Sequence, residues 1–304
     1  MAKLFHILPA AQIDGIKWDR CVSESNNGLI YSSVDYLNAM ADNWHGLVID
    51  DYTAVMALPW KTKLGIRYGY MPAFMQQSGI IGSMVNMDLK EVMATIHRFL
   101  FFADIHFNFL NTSIQKVVPV AIRTNLIIDL APGLDSIRSA YKNDLKENIK
   151  KAETQNLHYS VGDMEEAVSL YQLHYSDRTP HIQKHDYKKF LQLCKNMQAK
   201  SKCFTRVVTD EKGGLLAIAL FLKDENRMYN LMNTTLPEGR EKEANHFLLD
   251  SVICEFTGQP LLFDFEGSEL PGVRAFYEKF GAVNQPYFHY RYNGLPWPLR
   301  LLKR

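Results

Sequence analysis

One arrangement of strands and helices occurs twice in this chain, in the same order and at nearly the same offset. Each copy has a hairpin pattern, a helical pattern and an apolar strand with a Phe-x-Phe core. The segments are 45–49, 54–60, 88–102 and 105–110 in the first copy, and 203–209, 215–222, 241–256 and 261–265 in the second. Internal repetition of this kind predicts a duplicated α/β unit, which one continuous sheet without internal symmetry would contradict.

The last strand of the second copy carries two acids. Asp264 lies inside the apolar run, and Glu266 follows where Gly267 ends it. Asn108 takes the corresponding place in the first copy. A buried acid is costly unless it is paired or used, and strand ends in α/β sheets often hold ligands. Asp264 therefore either caps neighbouring backbone amides or belongs to a functional site.

The length and composition limit the kinds of protein that this chain can be. The 304 residues allow two domains of about 100–200 residues each. No apolar run approaches the roughly 20 residues of a membrane span, and the first residues lack the pattern of a signal peptide. The four cysteines lie far apart without a Cys-x-x-Cys pair, which favours reduced thiols and a cytoplasmic location. A net charge of +1 gives no general nucleic-acid signal.

The domain boundary is expected where two strand-like runs flank Arg123-Thr124-Asn125. The first domain is predicted to comprise residues 1–122 and about 286–304, and the second residues 123–285. The segment 134–155 reads as one long basic helix, which either attracts phosphates or is a solvated face. His181 and His185 have the spacing of a zinc site but lack the accompanying Glu, so no metal site is predicted.

A longer stretch resembles a known family. Phe-Asp-Phe-Glu-Gly-Ser at 263–268, followed by Gly-Val-Arg-Ala-Phe-Tyr-Glu-Lys-Phe-Gly-Ala at 272–282, resembles the Fem-type peptidyltransferases of the GNAT acetyltransferase superfamily. Their motif is an apolar strand ending Asp-Phe-x-Gly, then Phe-Lys-x-x-Phe-Gly. Residues 143–153 also resemble the basic segment of that family. The resemblance covers the second half well and the first half loosely.

The resemblance implies a fold and an activity. The fold is α/β (α+β), with two tandem GNAT-like (acyl-CoA N-acyltransferase) domains whose mixed sheets are flanked by helices. The activity is transfer of an acyl or aminoacyl group from acyl-CoA or aminoacyl-tRNA to the amine of a small molecule or peptide. A tRNA would be a partner if the donor is aminoacylated, and no integral membrane association is expected.

Two departures from the family pattern affect this reading. Tyr277 stands where the family has Lys, and the GNAT pyrophosphate loop is absent, with only Gly239-Arg240 at the corresponding helix. A non-catalytic module that kept the fold for ligand binding or interaction is therefore the alternative. A third possibility is a membrane-surface protein docked by the basic tail near Trp297, although that tail is expected to pack on the first domain.

Under this resemblance the candidate residues fall into three groups. They are Asp264, Glu266 and Tyr277 for catalysis, Asn230, Asn233, Gly239 and Arg240 for the donor, and Gln76, Gln77 and Arg178 for the acceptor. The strands 227–233 and 261–265 are expected to diverge at their C-terminal ends, which would open a cleft bordered by several of these side chains.

Overall fold

The computed structural model describes residues 4–267, 269–295, 297 and 300. The helices are α1 Gly15–Glu24, α2 Val34–Met40, α3 Leu89–Phe99, α4 Leu134–Ser139, α5 Asn143–Glu153, α6 Met164–Tyr175, α7 Lys184–Gln198, α8 Pro237–Glu241, α9 Ala244–Phe256 and α10 Pro271–Tyr277. The strands are β1 Phe5–Pro9, β2 Trp44–Ile49, β3 Ala54–Lys63, β4 Ile66–Gly69, β5 Ile81–Gly82, β6 Phe102–Phe107, β7 Ala121–Arg123, β8 Leu126–Asp129, β9 His158–Val161, β10 Cys203–Thr209, β11 Leu215–Lys223, β12 Arg227–Thr235, β13 Leu262–Asp264, β14 Val283–Asn284 and β15 Tyr287–Asn293. None of the described helices is long and apolar enough to span a bilayer.

The described residues divide into two compact units. The first lies within Met1–Arg123 and Pro286–Arg304, and the second is Thr124–Gln285. Each unit has its own mixed sheet and its own hydrophobic core.

The first unit is built on the strand order β1-β2-β3-β4-β6-β15-β7, with β5 paired to β3. Its core contains Ala103, Ile105 and Phe107 from β6 and Phe288 and Tyr290 from β15. The aromatic run at 287–292, whose composition predicts a strand, lies in β15, which pairs with both β6 and β7. The tail that was expected to pack on this unit lies, apart from residues 297 and 300, outside the described residues.

The second unit repeats the order of the first. Its sheet runs β9-β10-β11-β12-β13-β8-β14, with β10, β11 and β12 antiparallel and β13 parallel to β12. In the first unit β2, β3 and β4 are likewise antiparallel, and β6 is parallel to β4. In both units a helix connects the parallel pair, which are β4–α3–β6 and β12–α9–β13. The two mixed sheets with flanking helices confirm the predicted fold class.

Three local predictions were wrong. The single helix expected over 134–155 is two helices, because the chain turns at Ala140 and the Lys142 amide donates to the carbonyl of Lys279 at 2.8 Å. The stretch 65–79, whose glycines, aromatics and low charge predict a loop, contains strand β4, which pairs with β3. The apolar run at 29–32 predicts a strand or extended segment, but it contains a 3₁₀ turn, Ile30–Ser32, whose residues are all buried.

Candidate functional site

The second sheet has a gap beside β12, by which we mean the stretch of its edge beyond Tyr229 that β13 does not pair with. The two strands pair at three positions, Arg227 with Leu262, Met228 with Phe263 and Tyr229 with Asp264. β13 then ends, whereas β12 continues to Thr235 and remains paired on its other side with β11. Pairing between the two strands thus ends at Tyr229 and Asp264, and the β12 edge from Asn230 onward has no partner among the described strands on this side, while the divergence expected from the sequence stays a prediction.

A β-bulge determines which side chains of β12 line this region. Asn230 lies opposite Phe221 and Asn233 opposite Ala219, so Leu231 is the extra residue between them. Residues directly opposite each other share a face of the sheet, and Phe221 and Ala219 both belong to the core of this unit. In a regular strand a spacing of three would place the two asparagines on opposite faces. The bulge puts both amides on one face.

The two asparagines carry polar atoms that lack a protein partner. Asn230 is 3% exposed, and its Nδ2 donates to the hydroxyl of Tyr277 at 3.4 Å. Its Oδ1 and the Nδ2 of Asn233 are buried without a hydrogen bond to any described residue. A buried unsatisfied polar atom costs about 1–3 kcal/mol. One acceptor and one donor on this face thus lack a described partner.

Tyr277 is held in place by stacking. Its ring lies 4.5 Å from that of Phe265, and only 8% of the residue is exposed. Burial first, and then the charges of Tyr171, Tyr175 and Glu266, raise the pKa of Tyr277 far above its ordinary value. The hydroxyl therefore stays protonated at neutral pH. Because Asn230 donates to its oxygen, the hydroxyl proton remains available for a ligand.

Glu266 follows β13 in an unusual backbone conformation. Its φ of 55° lies in the left-handed region, which non-glycine residues rarely adopt, and Gly267 after it has a φ of 58°. The Glu266 amide donates to Oδ1 of Asp264 at 3.0 Å, which stabilises this turn. The residue is 9% exposed. Strained conformations of this kind cluster at functional sites.

Asp264 has different surroundings from those expected of a catalytic base. Its Oδ2 is 2.5 Å from Nη1 of Arg227 and accepts from Nδ2 of Asn125 at 2.9 Å. Its Oδ1 accepts from the amide of Glu266. The carboxylate is fully buried and both oxygens are engaged, so its described contacts hold the strand end together.

Helix α6 adds two tyrosines that the sequence analysis missed. It packs against β11 and β12, and the rings of Tyr171 and Tyr175 lie 5.0 Å apart. Burial, followed by the charges of Tyr187, Tyr175 and Glu266, raises the pKa of Tyr171 to about 12. The guanidinium of Arg178 lies 5.2 Å from the Tyr175 ring centroid. The only sequence signal was a pair of aromatics four residues apart on one helix.

The remaining donor candidates lie on α8. An added Cβ at Gly239 would lie 2.1 Å from the carbonyl oxygen of Leu216, so the close approach of α8 to β11 requires glycine. Arg240 is exposed, and none of the described residues forms a hydrogen bond or ion pair with its side chain. Arg240 is therefore accessible to an anionic ligand.

Gln76 and Gln77 belong to the first unit, whereas the other candidates belong to the second. Gln77 is buried, donates to Oε1 of Gln76 at 2.8 Å and accepts from the amide of Phe109 at 3.3 Å. The carbonyl oxygen of Gln76 lies 2.8 Å from Nδ1 of His106. These contacts organise the loop within its own unit, and an acceptor role for it stays a prediction.

The chain shares its fold with solved structures at low sequence identity. FemX is 13% identical, with a TM-score of 0.70 over 100% of both chains. L-PGS from Bacillus licheniformis is 13% identical, with a TM-score of 0.55 over 95% of both chains. A tandem GNAT protein from the clavulanic acid biosynthesis pathway, solved without AcCoA, is 10% identical, with a TM-score of 0.55 over 96% of this chain and 99% of that one.

These similarities establish the tandem GNAT fold along the chain, as the sequence resemblance implied. No protein-family model and no curated protein matches the sequence.

Proposed function

We propose that the second unit transfers an acyl or aminoacyl group to an amine. The observation that carries this proposal is the gap beyond Tyr229 and Asp264, where β12 continues without β13. Asn230 and Asn233 present an unpartnered acceptor and donor on one face beside it. An acyl donor with an amide-containing arm has an N–H for Oδ1 of Asn230 and a carbonyl for Nδ2 of Asn233. Tyr277, whose hydroxyl lies 3.4 Å from Nδ2 of Asn230, is our candidate for contacting the reacting carbonyl.

The donor is acyl-CoA or an aminoacyl-tRNA. Both contain phosphates, for which the exposed guanidinium of Arg240 is the available cation on α8. The acceptor is a small molecule or peptide bearing an amine, and Arg178 beside Tyr175 is the candidate contact for it. We place the reaction in the cytoplasm, because both donors are found there and the four cysteines are free thiols.

The reaction needs one proton acceptor and one hydrogen-bond donor. The amine nitrogen attacks the acyl carbonyl carbon, a C–N bond forms, and the thioester C–S or ester C–O bond breaks. Glu266 accepts the proton that the amine loses. The Tyr277 hydroxyl donates to the oxyanion, and the leaving thiolate or alkoxide takes up the proton that Glu266 accepted. Asp264, with both oxygens engaged, positions the turn that carries Glu266.

Two departures support a non-catalytic ligand-binding module as the second candidate. Tyr277 stands where Fem-type enzymes have Lys, so the site offers a neutral hydroxyl in place of a cation. The five-residue helix α8 follows β12 without a glycine-rich pyrophosphate loop. Such a module would bind the donor in the gap without transferring the acyl group.

Thermal shift followed by a transfer assay tests the proposal. Purified protein is melted with acetyl-CoA, longer acyl-CoAs, aminoacyl-tRNAs and the deacylated forms, because a ligand of the native state raises the melting temperature. Donors that bind are then incubated with amine acceptors, and the products are measured by mass spectrometry. Stabilisation with amide formation supports transfer. Stabilisation without turnover supports the binding module, and no stabilisation by either donor class contradicts both.

A further inference from the structure

A compact group of metal-ligating side chains lies in the first unit. One ligand atom from each of Asp104, His106 and His289 lies within 4.8 Å of the other two. Asp104 and His106 are two residues apart on β6, and His289 lies directly opposite His106 on β15. All three are on the face away from the core residues Ile105 and Tyr290. They are half-buried, and two paired strands fix their positions.

The tautomer of His106 leaves one ring nitrogen available. Its Nδ1 is 2.8 Å from the carbonyl oxygen of Gln76, which can only accept, so this nitrogen carries the proton. Nε2 of the neutral ring then holds a lone pair, and no described residue hydrogen-bonds to it. A histidine oriented by a backbone carbonyl in this way is the usual arrangement of a metal ligand.

Hydrogen bonds among the side chains explain the positions of Asp104 and His289 but not that of His106. Nε2 of His289 donates to Oδ1 of Asp104 at 2.9 Å, and Nη2 of Arg123 donates to Nδ1 of His289 at 3.2 Å. These two hydrogen bonds engage both ring nitrogens of His289. They do not involve His106, whose ring meets that of His289 edge-on at 4.8 Å. These hydrogen bonds therefore do not explain why His106 lies beside His289, or why the Gln76 carbonyl orients its ring.

We propose that Asp104, His106 and His289 form a binding site for one divalent first-row transition metal, of which zinc is the reference ion. Two imidazoles and one carboxylate suit such an ion, and three protein ligands leave a coordination position for water. The ion ties β15 to β6, which are distant in sequence. This site is independent of the proposed transfer reaction in the second unit.

Arg123 provides a specific test of the proposal, because a bound ion must displace its guanidinium from Nδ1 of His289. When the metal binds Nε2 of His289, the proton on that nitrogen moves to Nδ1. The guanidinium, which now donates to Nδ1, must withdraw. Its positive charge also opposes the ion. Arg123→Gln removes the charge and supplies an amide oxygen that can accept from Nδ1–H, so this variant binds zinc more tightly.

Metal titration of the full chain tests this site. Tag-free protein is dialysed against EDTA and then against buffer, and is titrated with Zn²⁺ by calorimetry and with Co²⁺ by absorption. We expect one ion per chain and a rise of about 5 °C in melting temperature with zinc in large excess over its Kd. His106→Ala should weaken binding by more than about 10-fold, and Arg123→Gln should tighten it by about 10-fold. His6→Ala, an exposed histidine of the same unit, is the control.

The opposite results overturn the proposal. They are no binding below millimolar zinc, affinity unchanged in His106→Ala, or affinity that falls instead in His181→Ala or His185→Ala. A loss of folding in His106→Ala does not remove the test, because the gain in Arg123→Gln is measured on a variant that keeps all three ligands. Unchanged affinity in Arg123→Gln shows that His289 does not coordinate the ion.

Discussion

Arg227 and Asp264 form an ion pair that is almost completely removed from solvent. Nη1 and Oδ2 lie 2.5 Å apart, and the side chains are 3% and 1% exposed. Nη2 of Arg227 also donates to Oε1 of Gln285 at 2.6 Å, and Asn125 donates to the same carboxylate oxygen. The pair joins the first residue of β12 to the last residue of β13. It therefore fastens the two strands immediately before the gap opens.

Asp264→Asn should destabilise the second unit by about 3–5 kcal/mol, because it leaves the Arg227 charge buried without its partner. The free energy of unfolding from urea denaturation measures this cost. Arg227→Met combined with Asp264→Leu should cost less than the sum of the two single changes, since no lone charge remains. Asp135→Asn, an exposed carboxylate of the same unit, should stay within about 0.5 kcal/mol of the wild type. Additive costs would contradict the pairing.

Gly239 and Gly272 are a matched pair of helical glycines. A Cβ at Gly239 would lie 2.1 Å from the Leu216 carbonyl oxygen, whereas a Cβ at Gly272 would meet nothing within 4 Å. Gly239→Ala should therefore cost about 1–3 kcal/mol through overpacking. Gly272→Ala should be neutral or stabilise by up to about 1 kcal/mol, because alanine favours the helix. Equal effects of the two changes in denaturant melts would refute this account of α8 packing.

Much of the fold could be predicted because its signals are local. The two hairpins follow hydrophobic alternation over a few residues. The strand β4 was missed because Gly65–Gly79 has a mixed, glycine-rich composition, and only pairing with β3 makes it a strand. The break between α4 and α5 was missed because it depends on a hydrogen bond to Lys279, far along the chain.

The site was harder to predict, because its geometry depends on contacts that no spacing reveals. Asn230 and Asn233 share a face only through the bulge at Leu231, and sequence periodicity predicts opposite faces. The burial of Asp264 was predicted, but its partner Arg227 was not. His106 and His289 lie in separate segments, and only the antiparallel register of β6 and β15 places them opposite each other.

The stability of the protein should fall as the pH decreases below about 6.5. Burial lowers the pKa of His97 from its ordinary value of 6.5, so the folded state binds fewer protons than the unfolded chain in this range. The stability contributed by neutral His97 is present above pH 6.5 and is lost as the pH falls through the lowered pKa. The fall in melting temperature between pH 7.5 and 5.5 should be smaller in His97→Gln. His6→Gln, at an exposed site, should leave the fall unchanged.

Glu266→Gln should slow transfer by about 100-fold or more if Glu266 takes the proton of the amine, since general bases contribute about 10²–10⁴-fold. The amide keeps the size of the side chain and leaves the backbone turn in place. Turnover with the identified donor measures the effect, and donor-induced stabilisation should persist in the variant. Glu241→Gln, an exposed glutamate on α8, is the control. Wild-type turnover in Glu266→Gln would remove this residue from the mechanism.

Tyr277→Phe should slow transfer by about 10²–10³-fold, because it removes one hydrogen-bond donor to the oxyanion. The fold should survive, since the ring still stacks on Phe265 and, among the described residues, the hydroxyl accepts a single bond, of 3.4 Å, from Asn230. Tyr159→Phe is the matched control, because its hydroxyl bonds to Glu255 and β9 is the strand at the sheet edge away from the gap. That variant should lose some thermal stability and keep full turnover. If Tyr277→Phe keeps full turnover while Glu266→Gln does not, the oxyanion is stabilised by another group, and the proton transfer assigned to Glu266 still stands.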